Sequence, residues 1–529
     1  MIYLMPDWNL ETTDFDRDGM LYVSRLFEKY GIDNQIILTN YQPFMQHYAQ
    51  YFGVEMKQLF STFDLMQDIQ KTAGHPIGVQ DLLYSPDIEK VFGNQELFLV
   101  KGNQLYGKVF FNMFGFVDSA VYFEENKRRV EIYDERGFIA QKVYYEDERL
   151  VKREYFNETA TLTISEYLGE NGKVVFEGGH RGEFDQKEYK NINMVLSEII
   201  EKVVKTMNFQ QDKLVLGISS DLLEIVDSMT KKEDFIYLIS DINDLDVFQE
   251  IGWLDTILEK KHLVTEAAQK RNEIWERRAA LDLPKGSIPV IGMQSATVDF
   301  GDSNTIREMI VYWRVGVWGK WADGAFEMML KKMYKDPDVR LIIETGRNMN
   351  PMKLKEILLS FIDKNFNCKL EETELQEKIE QSKLTYTIEK RVFDIKEGIP
   401  DLRKVAEFLK ALEIQQTPMA IQVKEIFRTV RLFVELAKVP DNFYHITALS
   451  RGIPILSYGQ TAYFIDQKNG RIVQDMEDLQ VGLDTYLDVL SPWNEALVTA
   501  LDIIDANKEE KLISRWKNVL GIKEVAEVS

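Results

Sequence analysis

The stretch HITALSRGIPIL, His445 to Leu456, decides how the second half of the chain is read. Asp441 and Asn442, which follow Pro440 just upstream, both suit a helix N-cap, where a side-chain oxygen accepts from the first free amides. FYHITALSR then makes about two and a half turns at 3.6 residues per turn. Gly452 is the residue type that most readily takes the left-handed conformation ending a helix. Ile453 and Pro454 lead into an apolar strand, ILS. A helix start of this kind offers free N–H groups and the positive end of its dipole, which suits an anion such as a nucleotide diphosphate.

Working upstream, MIVYWRVGV (309–317) and VRLIIETG (339–346) read as strands around the amphipathic GAFEMMLKKMYKD (324–336), a second α/β alternation. The N-terminal MIYLMP (1–6), the helical GMLYVSRLFEKYG (19–31) and the apolar NQIILTNY (34–41) give strand, helix, strand, the opening of a parallel Rossmann-like sheet. From about Phe110 the period changes to two. The Tyr-, Phe-, Val- and Ile-rich run from Arg128 to Gly178 is broken by turn signals at Asp134–Gly137, Glu146–Arg149 and Glu170–Lys173, which predicts an inserted meander of antiparallel hairpins. Helical spacing returns at INMVLSEIIEKVVKTM (192–207), and apolar runs at KLVLGISS (213–220) and DFIYLISD (234–241) resume the first domain. A long charged helix is expected from Leu258 to Leu281. Pro284, Gly286 and Pro289 then mark an interdomain linker, and 492–521 reads as one or two amphipathic helices. The expected divisions are 1–108 with 189–283, a Rossmann-like domain in two pieces; 109–188, the inserted sheet; 284–490, a second Rossmann-like domain; and 491–529, closing helices that cross back to the first domain. Two such domains set a cleft between them, at the carboxyl ends of the strands.

Bulk properties narrow the function. At 529 residues with 45% hydrophobic and 12% aromatic content, the chain has ample material for more than one packed core. A net charge of −22 repels nucleic acid and anionic lipid at long range. The single Cys368 excludes an internal disulfide framework and points to a reducing compartment. No apolar window reaches the length of a membrane span, and the acidic flank of the N-terminus argues against a signal peptide, so a cytoplasmic chain is expected.

Three motifs reduce to simpler readings. Asp14, Asp16, Asp18 and Gly19 fit the start of an EF-hand loop, but its twelfth position is Arg25 where a bidentate Glu belongs. These acids are read instead as a helix-start loop that complements the dipole. His47, His75, His180, His262 and His445 are dispersed, so no zinc site is expected, and no GxSxG elbow occurs. Lys260, Lys261, Lys270, Arg271, Arg277 and Arg278 on the charged helix alternate with Glu259, Glu266, Glu273 and Glu276 at pairing distances. They read as a solvated face, with protein or lipid docking as the alternative.

Two Rossmann-like halves with a terminal helix resemble the GT-B glycosyltransferases. In the retaining members, the helix before Gly-x-Pro carries Glu, seven residues, then Glu-Ala, and the two acids serve the donor sugar and ribose. Laid on that pattern, Thr447 falls at the second acid and Val439 at the first. Neither side chain supplies a charge for oxocarbenium character. Asp441 or Glu435 remains as a substitute carboxylate. MIYLMPDW at the N-terminus, the inserted-sheet run from Phe114 to Phe156 and YHITALSRGIPILSYGQTAYFIDQKNGRIV near the end together resemble the first accessory secretory protein family of serine-rich-repeat adhesin export in Gram-positive bacteria.

The resemblance implies a GT-B-like fold without transferase activity and without a cofactor. It implies partners in the other accessory secretory proteins, the accessory SecA motor ATPase and the glycosylated adhesin, no nucleic acid, and peripheral membrane contact through the complex. Val439, Asp441, Asn442, His445, Thr447, Ser450 and Gly452 are then a degenerate donor site with no catalytic residue. Exposed apolar residues on the inserted sheet would serve as contacts, since strand edges invite pairing. The alternatives are an active glycosyltransferase acting on a Ser/Thr-rich protein, or a module that binds the adhesin's glycans.

Overall fold

A computed structural model describes residues 1–8, 18–93, 96–112, 114–169, 172–177, 184–241, 243–316, 318, 320–346, 351–366, 400–416 and 418–522. Asp14, Asp16, His180 and Cys368 lie outside the described residues. The chain divides into two compact units, Met1–Leu238 with Phe248–Leu263, and Ile239–Val247 with Val264–Ser529.

In the first unit, Ile2–Met5 pairs in parallel with Lys213–Gly217 on one side and Asn34–Leu38 on the other; Lys213–Gly217 in turn pairs with Ile236–Ile239, and Asn34–Leu38 with Leu59–Ser61. The first four of these short apolar runs are buried along nearly their whole length, as strands covered on both faces must be. Asp18 caps the helix Gly19–Lys29 by accepting from Leu21 N at 2.8 Å, and Gly31, at φ 69°, turns the chain away. The helix-start reading therefore holds for Asp18.

Among the described residues the inserted sheet has ten antiparallel strands in sequential order from Ile88–Phe92 to Glu188–Tyr189. It begins some twenty residues ahead of the expected 109 (109 − 88 = 21). The strand Glu96–Lys101 was hidden because its outward Phe98 and Val100 are also apolar, so ELFLV shows no alternation. Leu97 and Leu99 are fully buried in one cluster with Val109, Val117 and Ala120.

The second unit is built on six parallel strands in the order Leu412–Gln416, Val339–Thr345, Met309–Val315, Val430–Glu435, Ile455–Ser457 and Gly470–Ile472. Alternate residues feed opposite layers: Val311, Trp313 and Val315 pack with Phe326 and Leu330, whereas Tyr312 packs with Phe427, Phe433 and Tyr444. The closing stretch is two helices, Leu490–Ala506 and Glu509–Leu520. Both fall in this unit, where Ala500, Ile503 and Ile504 cluster with Ala296, Leu449 and Tyr463.

The long helix expected from Leu258 to Leu281 does not form. Leu254–Leu258 ends a short helix, the β-prone run Leu263–Thr265 is a buried strand, and only Ala268–Ala280 is helical. Its basic residues are mostly engaged inside the protein. Lys270 donates to Asn243 O at 2.7 Å, Arg277 pairs with Asp246 at 2.5 Å and with Glu273 at 3.2 Å, and buried Arg278 donates to Lys285 O at 2.6 Å. Lys260, off the helix, is buried beside Tyr237. Lys261 stays exposed and Arg271 bonds only its neighbour Asn272, so the expected charged face is reduced, not removed.

Candidate functional site

The strand Val430–Glu435 is buried at every position and delivers Glu435, 0% exposed, to its carboxyl end. A loop through Val439 and Pro440 leads to the helix Asn442–Arg451. Asp441 is its N-cap, accepting from Phe443 N at 3.0 Å, which settles the choice between Asp441 and Asn442. Gly452, at φ 70°, ends the helix in the left-handed region, and a Cβ there would sit 3.1 Å from Leu497 and 3.2 Å from Phe300.

Three neighbouring parallel strands place charged residues side by side at this end of the sheet: Glu344, Arg314 and Glu435 stand in one row of the register. The Arg314 guanidinium bonds Glu435 Oε1, reaches Asp441 Oδ2 at 3.2 Å and Glu344 Oε1 at 3.8 Å, and stacks 4.8 Å from the Tyr444 ring centroid. Glu344 is held in turn by Tyr312 OH at 2.5 Å and Tyr444 OH at 2.7 Å. Glu435 Oε2 accepts from Asp441 N at 3.1 Å and lies 3.0 Å from His445 Nε2, at an angle poor for a hydrogen bond. His445 Nδ1 meets Thr461 Oγ1 at 3.0 Å. On the other flank of the helix start, Glu266 accepts from Asn442 Nδ2 at 2.9 Å and from Asp241 N at 2.8 Å.

This geometry brings together Asp441, Asn442 and His445, with Glu435, but leaves the rest of the sequence-derived set apart. Thr447 is buried and spends its hydroxyl on Phe443 O, 2.7 Å away and one turn back. Ser450 contributes its carbonyl to Asp299 N at 3.0 Å, and Val439 is a half-buried loop residue. Arg314, Glu344, Tyr312, Asp241 and Glu266 were missed in the sequence. A usable signal existed: YWRV, IIET and FVEL each place one charge near the end of an otherwise apolar strand, and buried charges of opposite sign have to find one another.

Electrostatically, the site is already filled. Burial disfavours the Glu435 carboxylate, but the Arg314 guanidinium and His445 outweigh it and hold Glu435 below the ordinary value. Burial likewise opposes the Arg314 charge, and Glu435, Asp441 and Glu344 outweigh it. The amide of Phe443 is taken by the Asp441 side chain, and the cation that faces the helix start is shared among three carboxylates. An incoming diphosphate would have to displace these anions. A partly open cavity of about 400 Å³ adjoins the cluster, lined by Glu266, Gln460, Thr461, Lys468, Asp502 and Arg515. Its mixed charges present no single-sign surface to a nucleotide. Among the described residues no group of three or more His, Cys, Asp or Glu is placed to hold a metal.

Two acids outside this neutralised core have values raised into the range near pH 6. Burial pushes Asp241 up to about 6 against Lys270, and burial pushes Asp18 up to about 6 against its hydrogen bonds from Leu21 N and Trp8. Both folded values lie above the unfolded one, so the folded chain binds more protons and is stabilised as pH falls through 6 toward 4. From pH 7.5 to pH 5, each acid is expected to add about 1 kcal/mol in urea denaturation, and Asp241→Asn should remove its share. An Asp241→Asn profile identical to the wild type's over that range would refute the Asp241 assignment.

A family profile described as the accessory Sec system's first accessory secretory protein matches residues 4–524. The chain is 23% identical over 531 residues to the accessory Sec system protein of that description from Staphylococcus aureus, covering 98% of this chain and 95% of that one, and 22% identical to the protein of the same description from Streptococcus gordonii, covering 97% and 94%. Among solved structures, it is similar to one of accessory secretory protein 1, 2 and 3 in Streptococcus pneumoniae, with a TM-score of 0.69, 21% identity and coverage of 99% and 100%. It is also similar to the pneumococcal O-GlcNAc transferase GtfA in complex with UDP and GlcNAc, with a TM-score of 0.67, 11% identity and 98% of each chain covered. These likenesses show the GT-B-like fold.

Proposed function

We propose that this chain, which belongs to the accessory secretory protein 1 family of the accessory Sec system, is a non-catalytic adaptor that carries a glycosylated serine-rich-repeat adhesin toward export. It would work in the cytoplasm, in a complex with the other accessory secretory proteins and with the accessory SecA motor. Support for the complex comes from the similar structure of accessory secretory protein 1, 2 and 3. One observation carries the non-catalytic part of the reading: the helix start that should hold a donor diphosphate is closed by Glu435, Asp441 and Arg314, and the two donor-serving acids are replaced by Val439 and Thr447. Contact with the membrane would come through the complex, since Lys270, Arg277 and Arg278 of the basic helix are engaged within the protein. Among the described residues no helix is long and apolar enough to cross a membrane.

Calorimetric titration of the purified chain with UDP-GlcNAc is expected to be silent to millimolar ligand, and co-purification with the partner accessory proteins and the motor is expected to succeed. Sugar-nucleotide hydrolysis that falls on changing Asp441 or Glu435 to Ala would instead establish the transferase alternative, which the likeness to GtfA favours. Failure to associate with any of those partners would end the adaptor reading.

A further inference from the structure

The ten-stranded sheet ends differently at its two edges. Among the described residues, Glu188–Tyr189 is a two-residue strand, too short to template another chain, whereas Ile88–Phe92 is a five-residue strand paired on one side only. Gly93 N donates to Glu96 O at 2.8 Å, which sets the phase of the antiparallel ladder. Val91↔Phe98 and Glu89↔Val100 are then the inward-bonded pairs, and Lys90 and Phe92 turn their N–H and C=O groups outward. The edge is only lightly protected: Glu89 and Lys90 are its two charges, and Val91 and Phe92 beside them are exposed. The Lys90 side chain is exposed, but its ammonium bends back to donate to Leu82 O at 3.2 Å, over the Tyr84 ring, instead of reaching out past the edge. Phe92 is 70% exposed, and Leu83, next in sequence to the carbonyl that Lys90 binds, is 93% exposed.

We infer that the edge Ile88–Phe92 takes an eleventh strand from an extended segment of another accessory secretory protein, one with apolar side chains at alternate positions to meet Leu83 and Phe92. This rests on the reading of the chain as a subunit of that complex. Outward amides and carbonyls specify a β-strand as the occupant, and main-chain bonds of this kind supply affinity while alternate side chains supply specificity. A second copy of this chain is the poorer occupant. Five-residue strands pairing with each other bury a few hundred Å² at most, well below the roughly 1,200–2,000 Å² of a stable interface, and the centred register sets Lys90 against Lys90. A subunit that lays down one strand and continues onto other surfaces is free of both limits.

The test is amide hydrogen exchange on the full chain, alone and in the complex reconstituted with its partner accessory secretory proteins. Exchange at Lys90 and Phe92 should slow at least tenfold in the complex, with Glu89 and Val91 already slow in the free chain. Lys90→Pro removes one outward N–H without touching an inward bond, and should weaken assembly at least tenfold. If the complex forms and both amides exchange as before, the edge is not the contact, although the subunit reading stands. If the wild-type complex does not form, both readings fail. Slowing of these amides in the chain alone as its concentration rises would identify a second copy as occupant and overturn the inference.

Discussion

Glu435→Ala is expected to destabilise the second unit by about 3–5 kcal/mol, the cost of leaving a buried charge without its partner. Glu435 is fully buried and is the common acceptor for the Arg314 guanidinium and the Asp441 amide, with the His445 ring beside it. Its removal leaves Arg314 with Asp441 at 3.2 Å and Glu344 at 3.8 Å, neither of which replaces the direct bond. Urea denaturation should show a lower midpoint with an unchanged slope, because the same surface is exposed on unfolding. Glu435→Gln keeps the shape and one acceptor, so it should cost less. Replacing Arg314 and Glu435 together by apolar residues of similar volume should cost less than the sum of the single changes, since no orphan charge remains. A loss below about 1 kcal/mol in Glu435→Ala would mean that water already reaches the cluster, and the closed-site reading would fall with it.

How much of this was legible in the sequence depends on whether the deciding signal is local. The helix Asn442–Arg451 was readable to its ends because its cap and its left-handed stop are single-residue effects of Asp441 and Gly452. The parallel strands were readable because burial on both faces leaves uninterrupted apolar runs such as LVLG and FIYLI. The same uniformity concealed Glu96–Lys101, where a half-buried strand carries apolar and aromatic residues on its open face and so loses its alternation. Leu263–Thr265 was absorbed into a helix because three residues are too few for a period to register. The charged row was legible only in part: each strand shows its one charge near its end, but not which charge it meets. Arg314, Glu344 and Glu435 are far apart in sequence and become neighbours only through the strand order, which no single strand contains.

Restoring a donor-serving carboxylate should therefore unfold the site before it revives any transfer. Thr447→Glu places an acid at a position that is 7% exposed, on the helix whose start already faces Glu435, Asp441 and Glu266. The hydroxyl it replaces bonds one turn back along its own helix, and the cation one turn ahead, Arg451, is already paired with Asp299 at 2.7 Å and donates to the carbonyls of Asp299 and Lys424. A buried polar group without a partner costs a few kcal/mol and an ionised one more, so a loss of at least about 3 kcal/mol is expected. The added acid should titrate well above the ordinary carboxylate range, and the variant should recover stability as pH falls, because the proton removes the buried charge. Thr447→Val, which keeps the shape and gives up one local hydrogen bond, should cost about 1 kcal/mol or less. UDP-GlcNAc should remain a silent ligand of Thr447→Glu by calorimetry. Tight nucleotide binding by a stably folded Thr447→Glu would mean that the donor site is merely missing a residue. The expected outcome instead traces a silent titration to the carboxylates and guanidinium that neutralise one another at the helix start.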